Sequence, residues 1–64
     1  MKWTDSLDIA IELYEANPEL DPKTINFVDL RQMVLDLEGF ADDPNRCGER
    51  ILEAIQMAWI EEAE

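Results

Sequence analysis

Asp36, Glu38, Asp42 and Asp43 place four carboxylates inside the stretch DLEGFADDP, and no lysine or arginine lies between Arg31 and Arg46 to offset them. Carboxylate oxygens are hard donors, suited to Mg²⁺, Mn²⁺, Ca²⁺ or iron. A second acidic set, Asp5, Asp8, Glu12 and Glu15, recurs at helical spacing. At 100° per residue these four side chains fall within an arc of roughly 80°. Each like-charge neighbour pair in that arc costs an isolated helix about 0.2–0.5 kcal/mol. The stripe therefore does not serve the helix that carries it. It is either a solvated face or a surface for docking a basic partner or a diffuse cation. Around the start of the last helix, Glu49 and Glu53 instead interleave with Arg46 and Arg50, as on an ordinary ion-paired exterior. The negative potential is expected to concentrate on the first helix and on the 36–43 loop.

The stretch DDPNRCGERILEA partly resembles a calcium-binding EF-hand loop, with Asp43 at position 1, Asn45 at 3 and Gly48 at 6. Cys47 then occupies position 5 and Ala54 position 12, where a bidentate glutamate belongs, so that reading fails. A looser oxygen-only site on Asp36, Glu38, Asp42 and Asp43 remains. With no histidine in the chain and one cysteine, such a site would bind weakly, as suits a carrier or sensor and not a permanent cofactor. Cys47 has no histidine to activate it. A place in the first turn of the last helix would lower its pKa and Glu49 would oppose that, so a small packing residue is the simpler reading.

The formal charge is −11, from sixteen acidic and five basic residues. A field of that sign repels nucleic-acid phosphates and anionic membranes and attracts cations and basic protein surfaces. The absence of histidine removes the commonest general base, and no Walker loop or GxGxxG is present, so the chain reads as a non-enzyme. One cysteine suits a reducing cytoplasm. The first twenty residues carry carboxylates and no long apolar run, so neither a signal peptide nor a membrane span is expected. The 64 residues bound a single domain, 1–64. A core of that size yields about 3–5 kcal/mol.

Three helices are expected to position these groups. The first runs from about Asp5 to Ala16, with Thr4 or Asp5 as N-cap and Leu7, Ala10, Ile11 and Tyr14 on one face, widened by Ile9 and Leu13. Asn17-Pro18 stops it. Asp21-Pro22 makes a turn into a short extended piece, 23–26, where β-branched Thr24 and Ile25 favour a strand. The second helix spans about Val28 to Leu37, with Phe27, Leu30, Met33, Val34 and Leu37 inward and Gly39 just beyond its end. Val28 and Leu35, on its flank, form either an exposed apolar contact or part of a covered face. The last helix runs to about Glu62, opened by Asp43-Pro44 or by Asn45, with Ile51, Leu52, Ile55, Ala58 and Trp59 buried. Trp3, Trp59 and Tyr14 read as core. The fold class is mainly α: a three-helix, helix-turn-helix-like or winged-helix-like domain, with a very short β-ladder if residues near Phe40 pair with 23–26. Small bundles share the same outline.

KWTDS at 2–6, LDPKTINFVDL at 20–30, DLEGFADDP at 36–44 and ILEAIQMAWIEEA at 51–63 together resemble the IscX family of bacterial iron–sulfur cluster assembly, over essentially the whole chain. That resemblance implies a winged-helix-like fold and no enzymatic activity. It also implies binding to the cysteine desulfurase IscS at a region shared with frataxin and ferredoxin, and weak iron binding through surface carboxylates. Carried over by motif, Asp36, Leu37, Phe40, Asp42, Asp43 and Pro44 match in the acidic stretch, Asp5 in WTD and Asp29 in FVDL. Glu12 and Glu15 lie where the family is generally acidic. Met33 stands where an aromatic is expected, and NRCGER at 45–50 is more basic than the family pattern.

The expectation is thus an acidic cytoplasmic accessory protein, monomeric, binding neither nucleic acid nor membrane. Partner contacts would fall on Asp5, Asp8, Glu12, Glu15, Asp29, Leu37 and Phe40, and iron on Asp36, Glu38, Asp42 and Asp43. The alternatives are an iron carrier or sensor that acts without the desulfurase, and a generic acidic interaction module.

Overall fold

A computed structural model describes all residues, Met1 to Glu64. Three α-helices follow one another: α1, Ser6–Ala16; α2, Phe27–Leu35; and α3, Glu49–Ala63. Single 3₁₀ turns at Pro22–Thr24 and Pro44–Arg46 precede α2 and α3, and there is no strand. The mainly-α, three-helix expectation holds. The longest dimension is 29 Å.

The core forms because each helix offers apolar side chains at helical spacing to one centre. Ile9, Ala10 and Leu13 come from α1, Leu30 and Val34 from α2, and Leu52, Ile55 and Trp59 from α3. Trp3, from the segment before α1, completes the cluster. The inward stripe of α3 is the expected one, and Phe27 and Met33 of α2, with Leu37 just beyond its end, pack half-buried around Leu30 and Val34. In α1 the buried side is rotated from expectation. Leu7 is 57% exposed and Tyr14 37%, while Ile9 and Leu13 are fully covered. Both apolar sets satisfy helical spacing, and α3 packs on the Ile9–Leu13 side.

The extended piece at 23–26 does not become a strand. The Asp21 carboxylate accepts the Lys23 N–H (3.0 Å), and the Thr24 hydroxyl donates to the Asp21 carbonyl (2.9 Å), which winds the chain into a 3₁₀ turn. Gln56 of α3 then donates its side-chain amide to the Pro22 and Ile25 carbonyls at 2.9 and 3.1 Å. Acceptors that a ladder would need are thereby engaged. The other half of the expected ladder is also occupied, since the Ala41 N–H donates to the Met1 carbonyl (2.9 Å) and the Met1 nitrogen to the Gly39 carbonyl (2.7 Å). The wing position is therefore a loop tied to the N-terminal segment.

Helix ends follow capping chemistry. Asn26 caps α2 by accepting the Asp29 N–H at 2.8 Å, and its amide donates back to the Asp29 carboxylate at 3.2 Å, a reciprocal arrangement of the capping-box kind. That sets the helix start at Phe27, one residue earlier than expected. Gly39 is not the C-cap of α2, a position taken by Asp36. It occupies the third position of a Leu37–Phe40 turn with φ +88°, where a type II turn requires a left-handed residue. Asp43 and Pro44 open the second 3₁₀ turn instead of α3, which begins after Gly48.

The indole N–H of Trp59 is buried without a hydrogen-bond partner. An unpaired buried donor costs about 1–3 kcal/mol, and this sets two substitutions apart. Trp59→Phe removes the orphan along with one ring, and the two effects largely offset. Trp59→Ala loses about 3–5 kcal/mol, comparable with the whole stability of so small a domain. Thermal melts followed by circular dichroism are expected to show a cooperative transition for Trp59→Phe and none for Trp59→Ala; equal damage from both would mean that the indole N–H has a partner.

Candidate docking and cation surface

The acidic loop is held against the start of α1 by Trp3. Its indole Nε1–H donates to the Asp43 carbonyl at 2.7 Å, and its backbone N–H donates to the Asp42 carboxylate at 3.1 Å. The Phe40 ring meets the Trp3 ring edge-on, with centroids 4.7 Å apart and planes at 67°, a favoured aromatic geometry. The neighbouring N–H, that of Lys2, donates to the Asp5 carboxylate at 2.9 Å. Two consecutive backbone amides thus hold one carboxylate from each acidic set. Asp5, expected as a capping side chain for α1, turns back to Lys2 and makes no cap bond to the helix.

Asp42 is the most engaged carboxylate. Its second oxygen accepts the Asp43 N–H at 2.7 Å. The hydrogen bonds from Trp3 and Asp43 hold its carboxyl below the ordinary aspartate value of 3.8, with smaller help from the charges of Arg46 and Lys2. Asp43 accepts the Asn45 N–H at 2.9 Å, closing the turn that follows. Arg31 of α2 donates to the Pro44 carbonyl of this turn at 2.8 Å. The hydrogen bonds accepted by Asp5, Asp29, Asp36, Asp42 and Asp43 come from backbone N–H groups or side-chain amides.

Asp8, Glu12 and Glu15 stand exposed along α1. Leu7 and Tyr14, exposed by the rotation of that helix, lie on a different flank, about 80–160° around it from the three acids. Sequence reasoning put these two in the core, and only the choice of buried side distinguishes the two placements. Val28, 80% exposed, adds an apolar position at the start of α2, near the exposed Asp29, while Leu35 is half-buried.

The four loop carboxylates do not gather. Asp42 and Asp43 sit at the Trp3 end. Asp36 accepts the Gln32 side-chain amide at 2.9 Å and lines a shallow groove with Ala16 and Asn17, at the other end of α1. An eleven-residue helix separates these ends by about 16 Å. Glu38 is exposed between them in sequence. Leu37 lies half-buried beside Asp36, and Phe40 half-buried against Trp3. No three carboxyl or thiol groups come together as a set able to hold a metal ion. Cys47 precedes α3 and lies half-buried against the core; burial pushes its thiol pKa up, opposed by Arg31. The lowering that a first-turn position would bring does not arise. No helix is long and apolar enough to cross a membrane.

A small helical domain with one outward acidic flank is the class that this geometry defines. A family model described as iron–sulphur cluster assembly matches residues 1–64, and the chain belongs to that family. It is 63% identical over 62 residues to a Pseudomonas aeruginosa protein described as "Uncharacterized protein PA3808", covering 97% of this chain and 94% of that one.

The depressed Asp42 pKa fixes a pH dependence. A carboxyl whose folded pKa lies below its unfolded value stabilises the fold above the unfolded pKa, and that contribution is lost as pH falls through the folded value. The Trp3 backbone amide signal in an NMR acid titration is expected to move with an apparent pKa below 3.8, and Asp42→Asn to abolish that step. A step at or above the ordinary value would show that the carboxylate does not hold this amide.

Proposed function

We propose that this chain is an acidic accessory protein of iron–sulfur cluster assembly that docks on a basic surface of a cysteine desulfurase. It does so as a binding protein and not as an enzyme, and carries iron weakly as cargo on exposed carboxylates. The observation that carries this reading is the exposed stripe of Asp8, Glu12 and Glu15, continued at its N-terminal end by Asp5 and the tethered loop. Membership of the family supports the process, and the resemblance of KWTDS and DLEGFADDP to IscX supports the partner.

The stripe has the form of a steering surface. Charge gathered on one flank raises the association rate with a partner of opposite sign, and salt screens it. Leu7 and Tyr14 expose further apolar area on another flank of the same helix. Iron would be held by carboxylates in ones and twos with water completing its shell, which suits transfer and not storage.

Reversal of Asp8, Glu12 and Glu15 to lysine is expected to weaken desulfurase binding by more than tenfold, about 1.4 kcal/mol, measured by titration calorimetry at low salt. The wild-type affinity should fall as salt rises. Unchanged affinity after the reversal would exclude α1 as the docking face. Iron is tested separately: anaerobic Fe²⁺ titration should broaden NMR signals saturably near Asp5, Asp8, Asp42 and Asp43, and uniform, unsaturable broadening would remove iron from the proposal.

A further inference from the structure

The C-terminal ends of α1 and α2 meet at a groove of about 220 Å³ lined by Ala16, Asn17, Met33, Asp36 and Leu37. Neither helix carries a basic residue in its last turn. Each end therefore presents roughly half a negative charge that the chain leaves uncompensated. The backbone sharpens this. Pro18 has no N–H to give to the Tyr14 carbonyl, and the carbonyls of Glu15 and Ala16 accept none either. At the end of α2 the carbonyls of Met33 and Leu35 are likewise without donors. Asp36 spends one oxygen on Gln32 and keeps the other free. Asn17 donates its amide to the Leu13 carbonyl, which leaves its own side-chain oxygen without a donor. The groove is thus lined by residues that keep unused acceptors, the Ala16 and Met33 carbonyls, the Asn17 side-chain oxygen and the second Asp36 oxygen, beside the apolar surface of Ala16, Met33 and Leu37.

We propose that this groove receives one arginine side chain presented by a basic protein partner. The apolar lining suits the methylene stem. The free Asp36 oxygen and the unpaired carbonyls of Ala16 and Met33 suit a planar guanidinium, whose five donors can serve several acceptors at once. A lysine ammonium offers three donors from one point, and a hydrated alkali ion gains nothing from the apolar walls. The proposal refines the docking reading, because the arginine comes from the docked partner, yet it concerns the end of α1 away from Trp3 and is tested without any desulfurase.

The probe is N-acetyl-arginine amide, titrated into the ¹⁵N-labelled protein at low salt, with N-acetyl-citrulline amide as its neutral isostere. Saturable shifts are expected at the amides of Asn17, Met33, Asp36 and Leu37 for the arginine probe and not for citrulline. Asp36→Asn, which can still accept from Gln32, should weaken the response about fivefold, and Asp8→Asn should leave it unchanged. Equal responses to both probes, shifts spread along the α1 stripe without saturation, or no effect of Asp36→Asn would overturn the proposal. A protein that saturates with the arginine probe yet ignores the desulfurase would sink the docking reading and keep the groove; the converse result would sink the groove alone.

Discussion

Trp3 anchors the acidic middle of the loop between α2 and α3. Between Asp36 and Gly48 the chain has one 3₁₀ turn and no helix. Its acidic middle is fixed by the indole and backbone N–H of Trp3, by the Phe40 ring and by the pairing of Met1 with Gly39 and Ala41. The indole is also part of the core, 2% exposed. A single side chain therefore couples packing to the placement of charge. Were it absent, the Asp43 carbonyl would lose its indole donor and the Phe40 ring its edge-on partner, and the loop carboxylates would be free to spread away from Asp5.

This anchoring explains how so much like charge is tolerated. Carboxylates in the tethered region accept backbone N–H groups, which stabilise the ionised form without cancelling its charge toward solvent. An ion pair would have neutralised the field. Backbone N–H groups favour the ionised form of Asp42 and fix the positions of Asp43 and Asp5, and the flank stays negative. The cost falls on a small core, whose members come from all three helices and from Trp3. The same economy of cations leaves the C-terminal ends of α1 and α2 uncapped by charge.

Local chemistry made much of this readable from the sequence. Periodicity located α1 and α2 to within about two residues and the end of α3 to within one, whereas α3 starts at Glu49, well after the openings expected at Asp43-Pro44 or Asn45; the inward sides of α2 and α3 matched the periodicity. The rotation of α1 was not readable, because Leu7, Ile11 and Tyr14 compete with Ile9 and Leu13 for the core and only contact with α3 decides between them. The Asn26–Asp29 capping pair is legible in NFVD, whereas the strand preference of β-branched Thr24 and Ile25 yields to the Asp21 turn and to Gln56. As for the surface, the spacing of Asp8, Glu12 and Glu15 showed one exposed stripe. The division of the loop acids between two ends of the molecule depends on contacts between residues nearly forty positions apart, which no local pattern encodes.

Hydrogen exchange at the Trp3 indole N–H and the Ala41 amide tests the central claim most directly. Both bond across the N-terminal segment and the loop, so both should exchange slowly and at similar rates, as one cooperative unit. Phe40→Ala should speed both together while amides of Leu13 and Ile55 in the core stay protected. Fast, unprotected exchange of either group in the wild-type protein would contradict the anchoring of the loop by Trp3.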